Sequence, residues 1–88
     1  MTDRINEITI VTVKSIFEMK AGDVLKMKYG WLLRCPGCGK AHIDLTQQGK
    51  GWSVTQHEDG TLTVSPSIWH KEKCNAHFFI ERNKIRWV

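Results

Sequence analysis

Three cysteines in a chain of 88 residues fall into a spacing that suits a metal ion. Cys35-Pro36-Gly37-Cys38-Gly39 sets two thiols two residues apart in a glycine-rich turn. Such a turn presents both sulfurs to one tetrahedral zinc, since glycine allows close approach and positive φ. Backbone N–H groups in a knuckle of this kind point at the thiolates and offset the cost of burying their charge. The run Cys74-Asn75-Ala76-His77 repeats the spacing and offers one sulfur and one imidazole. Cys35, Cys38, Cys74 and His77 make a Cys3His set for Zn(2+). Four protein ligands leave no open position, so the expected site is structural. Soft sulfur donors favour zinc over an iron centre.

Two more histidines compete for the same metal. His42 lies four residues after Cys38, and His70 four before Cys74. Each is an alternative ligand or a hydrogen-bond partner for one. If either opened the site to water, a small metal-dependent hydrolase would be the alternative reading. His57, beside Glu58 and Asp59, belongs at a solvent-exposed hairpin tip. Other chemistry lacks its motif: there is no His-Glu-x-x-His, no phosphate-binding loop and no Gly-x-Ser-x-Gly elbow. A redox dithiol would open a helix, whereas this pair sits among proline and glycine in a β context.

The elements that must position these residues are short strands. Residues 7–13, EITIVTV, are rich in β-formers, and 24–29 read as a short strand after a turn at 19–23. Residues 31–35 lead into the knuckle and 42–46 lead out of it. Trp52, Val54 and Gln56 share one strand face. Glu58-Asp59-Gly60 signals a hairpin, followed by the β-type run 61–65. Ser65-Pro66-Ser67 breaks that run. Residues 68–76 are the most helix-compatible piece, with Ser67 as a cap, though too short to be stable alone. Residues 78–80 and 85–88 are paired strands around a turn. The expected fold is mainly β: a small zinc-ribbon-like domain of short antiparallel strands with at most one short helix. It spans 1–88, with an N-terminal strand region at 1–30 and the zinc-binding part at 31–88.

Composition narrows the class. The chain is 41% hydrophobic and carries four tryptophans, which excludes disorder. A core this small gains from a staple. MTDRINEITI has no apolar segment of a secretion signal, and no run reaches the roughly 18 apolar residues of a membrane span. The expected location is cytoplasmic, where thiols stay reduced. A net charge of +4 permits nucleic acid without demanding it, because the lysines and arginines are dispersed. A protein is the preferred partner, and the candidate binding surface is Trp69 with Lys71 and Lys73. A continuous basic stripe across one sheet face would instead favour nucleic acid.

Residues 35–42, Trp52-Ser53-Val54, 60–68, 74–80 and Ile85-Arg86-Trp87 together resemble a family of small domains from phages and bacteria to which zinc binding is ascribed. The resemblance covers about residues 31–88. It implies metal ligands at Cys35, Cys38, Cys74 and His77, and marks His42, Ser65, Pro66 and Ser67 as further functional positions. It carries no enzymatic activity. It also implies that relatives stand near ubiquitin-like conjugation or mobile-element genes. The function expected is a non-enzymatic zinc-stabilised binding module, such as a phage or mobile-element protein acting on a host protein or nucleic acid. The other alternative is a structural subunit of a larger assembly.

Overall fold

Alternating β-branched and aromatic residues build two four-stranded sheets. The computed structural model describes residues 5–28, 30–45, 52–70 and 74–88. The first sheet holds β1 (Thr9–Val11), β2 (Asp23–Met27), β3 (Gly30–Arg34) and β4 (His42–Asp44), in that order. The second holds β5 (Ser53–Gln56), β6 (Leu62–His70), β7 (Ala76–Glu81) and β8 (Lys84–Trp87). Only β1 and β2 run parallel among these pairs. The fold is mainly β, as its composition of strand-formers implies.

Each sheet turns one face inward. Val24, Leu33 and Ile43 from the first sheet join Leu62, Val64, Ile68, Phe78, Ile80 and Ile85 from the second in one buried cluster. Phe78 stacks obliquely on Trp87, its partner across β7 and β8, at 5.3 Å. The chain before β1 ties the two sheets together. Ile85 donates its N–H to Asn6, and Ile8 donates to Asn83, so this segment lies along β8 before entering the first sheet. The β7–β8 turn is Arg82-Asn83, both at positive φ (48° and 70°), the backbone that matches the twist of a two-residue hairpin.

Two expectations change. Residues 68–76 do not form a helix where they are described: Ile68, Trp69 and His70 extend β6 and pair with Phe78, His77 and Ala76. Cross-strand packing of a β-branched and an aromatic residue outweighs a weak helical preference. Among the described residues the single helical turn is a 3-10 turn at Ile16–Glu18, capped by Ser15, whose Oγ accepts from the Phe17 N–H at 3.2 Å. The break at Ser65-Pro66-Ser67 also lies inside β6 rather than ending it. From Val64 to Ile68 the strand advances four residues while β7 goes only from Ile80 to Phe78. Two residues are therefore extruded. An even number preserves strand parity, so Ile68 faces the core again. Pro66, which the alternation would point inward, is exposed in the bulge, where its missing N–H costs no ladder bond. The Ser65–Pro66 peptide is cis.

Candidate functional site

The knuckle between β3 and β4 is built as its glycines require. Cys35 N–H donates to Ala41 at 2.8 Å, and Gly39 N–H donates to Cys35 at 2.9 Å. Gly39 holds φ +68°, a backbone that L side chains rarely adopt. Burial pushes the Cys35 thiol up to about 11, against the pull of the Cys38 and Gly37 N–H groups. At Cys38 a desolvation penalty is outweighed by N–H groups of Lys40 and Ala41 and by neighbouring thiols, and the pKa falls to about 7. The backbone thus aims donors at both sulfurs, with one thiolate already favoured near neutrality.

Cys74 and His70 close the site from the β6–β7 hairpin. The Sγ atoms of Cys35 and Cys74 are 3.4 Å apart, and the Cys74 Sγ is 3.6 Å from His70 Nδ1. Ligand atoms of Cys35, Cys38, His70 and Cys74 all lie within 4.8 Å of one another. Tetrahedral zinc at ordinary bond lengths separates its donors by about 3.3–3.8 Å. Three sulfurs and one imidazole therefore fit zinc in both chemistry and spacing. The knuckle lies tight against the hairpin: a Cβ on Gly37 would come 2.7 Å from the Ala76 Cβ and 3.3 Å from the Cys74 Sγ.

The fourth donor brought to the cluster is His70, not the expected His77. On β7, Phe78 and Ile80 point to the core, so His77 and Phe79 point to the opposite face. There His77 Nε2 lies 3.0 Å from the Oγ of Ser67. Ser67 reaches it from the β6 bulge, and its carbonyl accepts the Trp52 indole N–H at 3.3 Å. Trp69, directly across from His77, stacks on the imidazole with ring centroids 5.2 Å apart and planes at 15°. On the other side lies Phe79, 6.4 Å away, itself covered by the Arg86 guanidinium at 4.3 Å.

A serine oxygen within hydrogen-bond reach of an imidazole is a geometry that a nucleophile and its base can use. The residue types alone did not single it out. Ser67 entered the sequence reading as a helix cap and as a position marked by resemblance. The usable signal was the Ser-Pro-Ser-Ile segment facing a histidine across a hairpin.

The other expected residues have different places. His42 Nε2 lies 3.1 Å from Arg34 Nη1 and 3.2 Å from the Ile16 carbonyl, while Arg34 Nε donates to Gly39 at 2.8 Å. His42 thus braces the knuckle against the 3-10 turn and stands outside the metal cluster. His57 Nε2 meets the Thr63 hydroxyl at 2.6 Å. Trp69 is half exposed, at 50%, while Trp31 is buried. Lys71 and Lys73 lie outside the described residues. On the second sheet, Lys84 pairs with Glu7 at 3.3 Å and Arg86 with Glu81 at 2.8 Å, so acids interrupt the basic residues there. Among the described residues no helix is long and apolar enough to cross a membrane.

The structure is thus a mainly β domain with a sulfur-rich cluster able to hold a metal and a serine–histidine pair on the outer face of its second sheet. The sequence matches the family model described as bacterial ubiquitination-like system serine protease (BubE) over residues 11–88. The chain belongs to that family. The match takes in all of β2 and, of β1, only its last residue, Val11. No curated protein and no solved structure matches the chain.

Proposed function

We propose that this chain is a serine peptidase of a ubiquitination-like system, with Ser67 as nucleophile, His77 as general base and a structural zinc beside them. The observation that carries this reading is the 3.0 Å contact between Ser67 Oγ and His77 Nε2. The family's description supports the same reaction class. Ser67 Oγ attacks the scissile carbonyl carbon while His77 Nε2 accepts the hydroxyl proton. The tetrahedral intermediate collapses, the C–N bond breaks, and His77 returns the proton to the leaving amine. A water, deprotonated by the same imidazole, then hydrolyses the acyl-serine and regenerates both groups.

Cys35, Cys38, His70 and Cys74 would hold the zinc, whose chemistry here is the stabilisation of folding by four closed bonds. Two of these residues flank the turn of the hairpin whose arms carry Ser67 and His77. Closing the turn on the knuckle fixes the two arms relative to each other. The partner in this reading is a polypeptide substrate rather than nucleic acid, and thiolate ligands suit a reducing, cytoplasmic setting.

A fluorophosphonate probe tests the assignment without a known substrate. Ser67 Oγ would form a bond to phosphorus as the P–F bond breaks, with fluoride leaving and the proton passing to His77. Mass spectrometry of the zinc-loaded protein should find one adduct, on Ser67. Ser67→Ala and His77→Ala should abolish it while keeping zinc. An adduct elsewhere, or His77→Ala labelling at the parental rate, would remove the reading.

A further inference from the structure

We infer that Trp69 is the positioning residue of the catalytic base, and that Asn75 fixes Trp69 to the turn closed by the metal. This rests on the reading of Ser67 and His77 as nucleophile and base.

A histidine base must keep one nitrogen aimed at the hydroxyl it deprotonates. In serine–histidine–aspartate sites a buried carboxylate does this by binding the other ring nitrogen. Among the described residues, the one side-chain hydrogen bond of His77 goes to Ser67. What else restrains the ring is aromatic. The Trp69 indole lies nearly parallel to it, 15° between planes and 5.2 Å between centroids. This separation is within the range of favourable offset stacking. A ring flip of His77 would have to break that stack. The imidazolium formed when His77 takes the proton also lies over an indole face, where a cation is stabilised.

The indole is held in turn. Its Nε1–H donates to Asn75 Oδ1 at 2.9 Å. Asn75 follows Cys74 directly, adopts φ +62° and donates its backbone N–H to the His70 carbonyl at 2.9 Å. Both neighbours in that arrangement, His70 and Cys74, are donors of the metal cluster. A chain of contacts therefore runs from the cluster through Asn75 and Trp69 to the base. This route gives the metal an effect on the dyad with no bond to either member.

The test is the rate of fluorophosphonate labelling at Ser67 in the full zinc-loaded chain, with the saturating rate constant separated from probe affinity. Zinc content and thermal midpoint are recorded for every variant. Trp69→Ala should lower the saturating rate by about tenfold, a fraction of what a general base supplies. Trp69→Phe keeps a stacking ring and loses the anchor, and Asn75→Gly keeps the left-handed backbone and loses the same anchor. Each should lower the rate by about threefold, and their combination should be no worse than either alone, because both remove one bond. A zinc-loaded Trp69→Ala protein labelling at the parental rate overturns the proposal. Should that variant not fold, parental rates in Trp69→Phe and Asn75→Gly overturn it equally. In either case, parental labelling that still depends on His77 leaves the peptidase reading standing. A parent with no adduct on Ser67 brings down both.

Discussion

Ser67 and His77 sit ten residues apart on opposite arms of one hairpin and meet at 3.0 Å. Ile68 faces the core, so strand alternation turns Ser67 beside it to the outer face. The parity of β7 places His77 on that same face, across from Trp69, and the register shift between Val64 and Ile68 leaves this parity intact. The cluster of Cys35, Cys38, His70 and Cys74 lies at the turn end of the same hairpin.

That division of labour makes the two histidines separable. Native mass spectrometry should find one zinc per chain. Cys35→Ser, Cys38→Ser, Cys74→Ser and His70→Ala should lose it, whereas His77→Ala and His42→Ala should keep it. Binding in sites of this kind contributes on the order of 10 kcal/mol apparent at the tight end, so stripping zinc with a chelator should lower the unfolding midpoint steeply. Labelling of Ser67 should vanish with it. Zinc lost from His77→Ala and retained in His70→Ala would refute the ligand assignment and the base assignment together.

Gly37 is the contact point of knuckle and hairpin. Its substitution by alanine would place a Cβ 2.7 Å from the Ala76 Cβ, a distance real side chains do not tolerate. One loop must move. Gly37→Ala should cost about 1–3 kcal/mol in urea denaturation, the usual cost of overpacking, and weaken zinc retention. Gly60→Ala is the control, since an added Cβ there meets nothing within 4 Å, although its φ of +89° carries a backbone penalty.

Asn83 joins the β7–β8 turn to two other segments. Its Oδ1 accepts from the Leu62 N–H at 2.7 Å, its N–H donates to the Leu62 carbonyl at 2.8 Å, and its carbonyl accepts from Ile8. Asn83→Ala loses the side-chain acceptor and opposes φ +70°, and should destabilise by about 2–3 kcal/mol. Asn83→Gly restores the backbone freedom but not the acceptor, and should recover only part of that loss. Equal stability of both variants and the parent in urea titrations would contradict this.

The cysteines should differ in reactivity in zinc-free protein kept below its lowered unfolding midpoint. With Cys38 lowered to about 7 and Cys35 raised to about 11, the two thiols ionise in different pH ranges. Alkylation of Cys38 by iodoacetamide should rise through about pH 7 and level off above it, while Cys35 stays protonated and slow up to about pH 11. Because zinc takes thiolates, acidification should also weaken metal retention. Peptide mapping after alkylation at several pH values measures this order, and a Cys35 that reacts first at pH 7 would reverse it.

Much of the fold is legible in local signals. The knuckle is visible in Cys-Pro-Gly-Cys-Gly, the hairpin at 58–60 in its turn residues, and the inward stripes of Phe78, Ile80, Ile85 and Trp87 in period-two alternation. The stretch from Ser65 to Ala76 reads poorly because its decisive partners are remote. Pro66 suggests an end to β6, yet the strand continues past it through a bulge. Ile68 and Trp69 read as helix-compatible in isolation, yet β7 supplies a pairing edge that a local propensity cannot anticipate. A non-enzymatic binding module was the natural expectation while no nucleophile had a visible base. The pairing of β6 with β7 brings His77 within reach of Ser67, the contact on which the peptidase proposal rests.

By itself the sequence determined that this chain is a small β domain with cysteines spaced to hold a metal, because strand alternation and cysteine spacing are properties of neighbours in the chain. It could not choose between His70 and His77 for the metal, since they stand four residues before and three after Cys74 and spacing admits both. The tertiary structure brings His70, and not His77, within reach of the three sulfurs. His70 ends β6 beside the knuckle and Cys74, while the parity of β7 turns His77 outward to Ser67, and the even-numbered bulge keeps Ile68 in the core and Ser67 on the outer face.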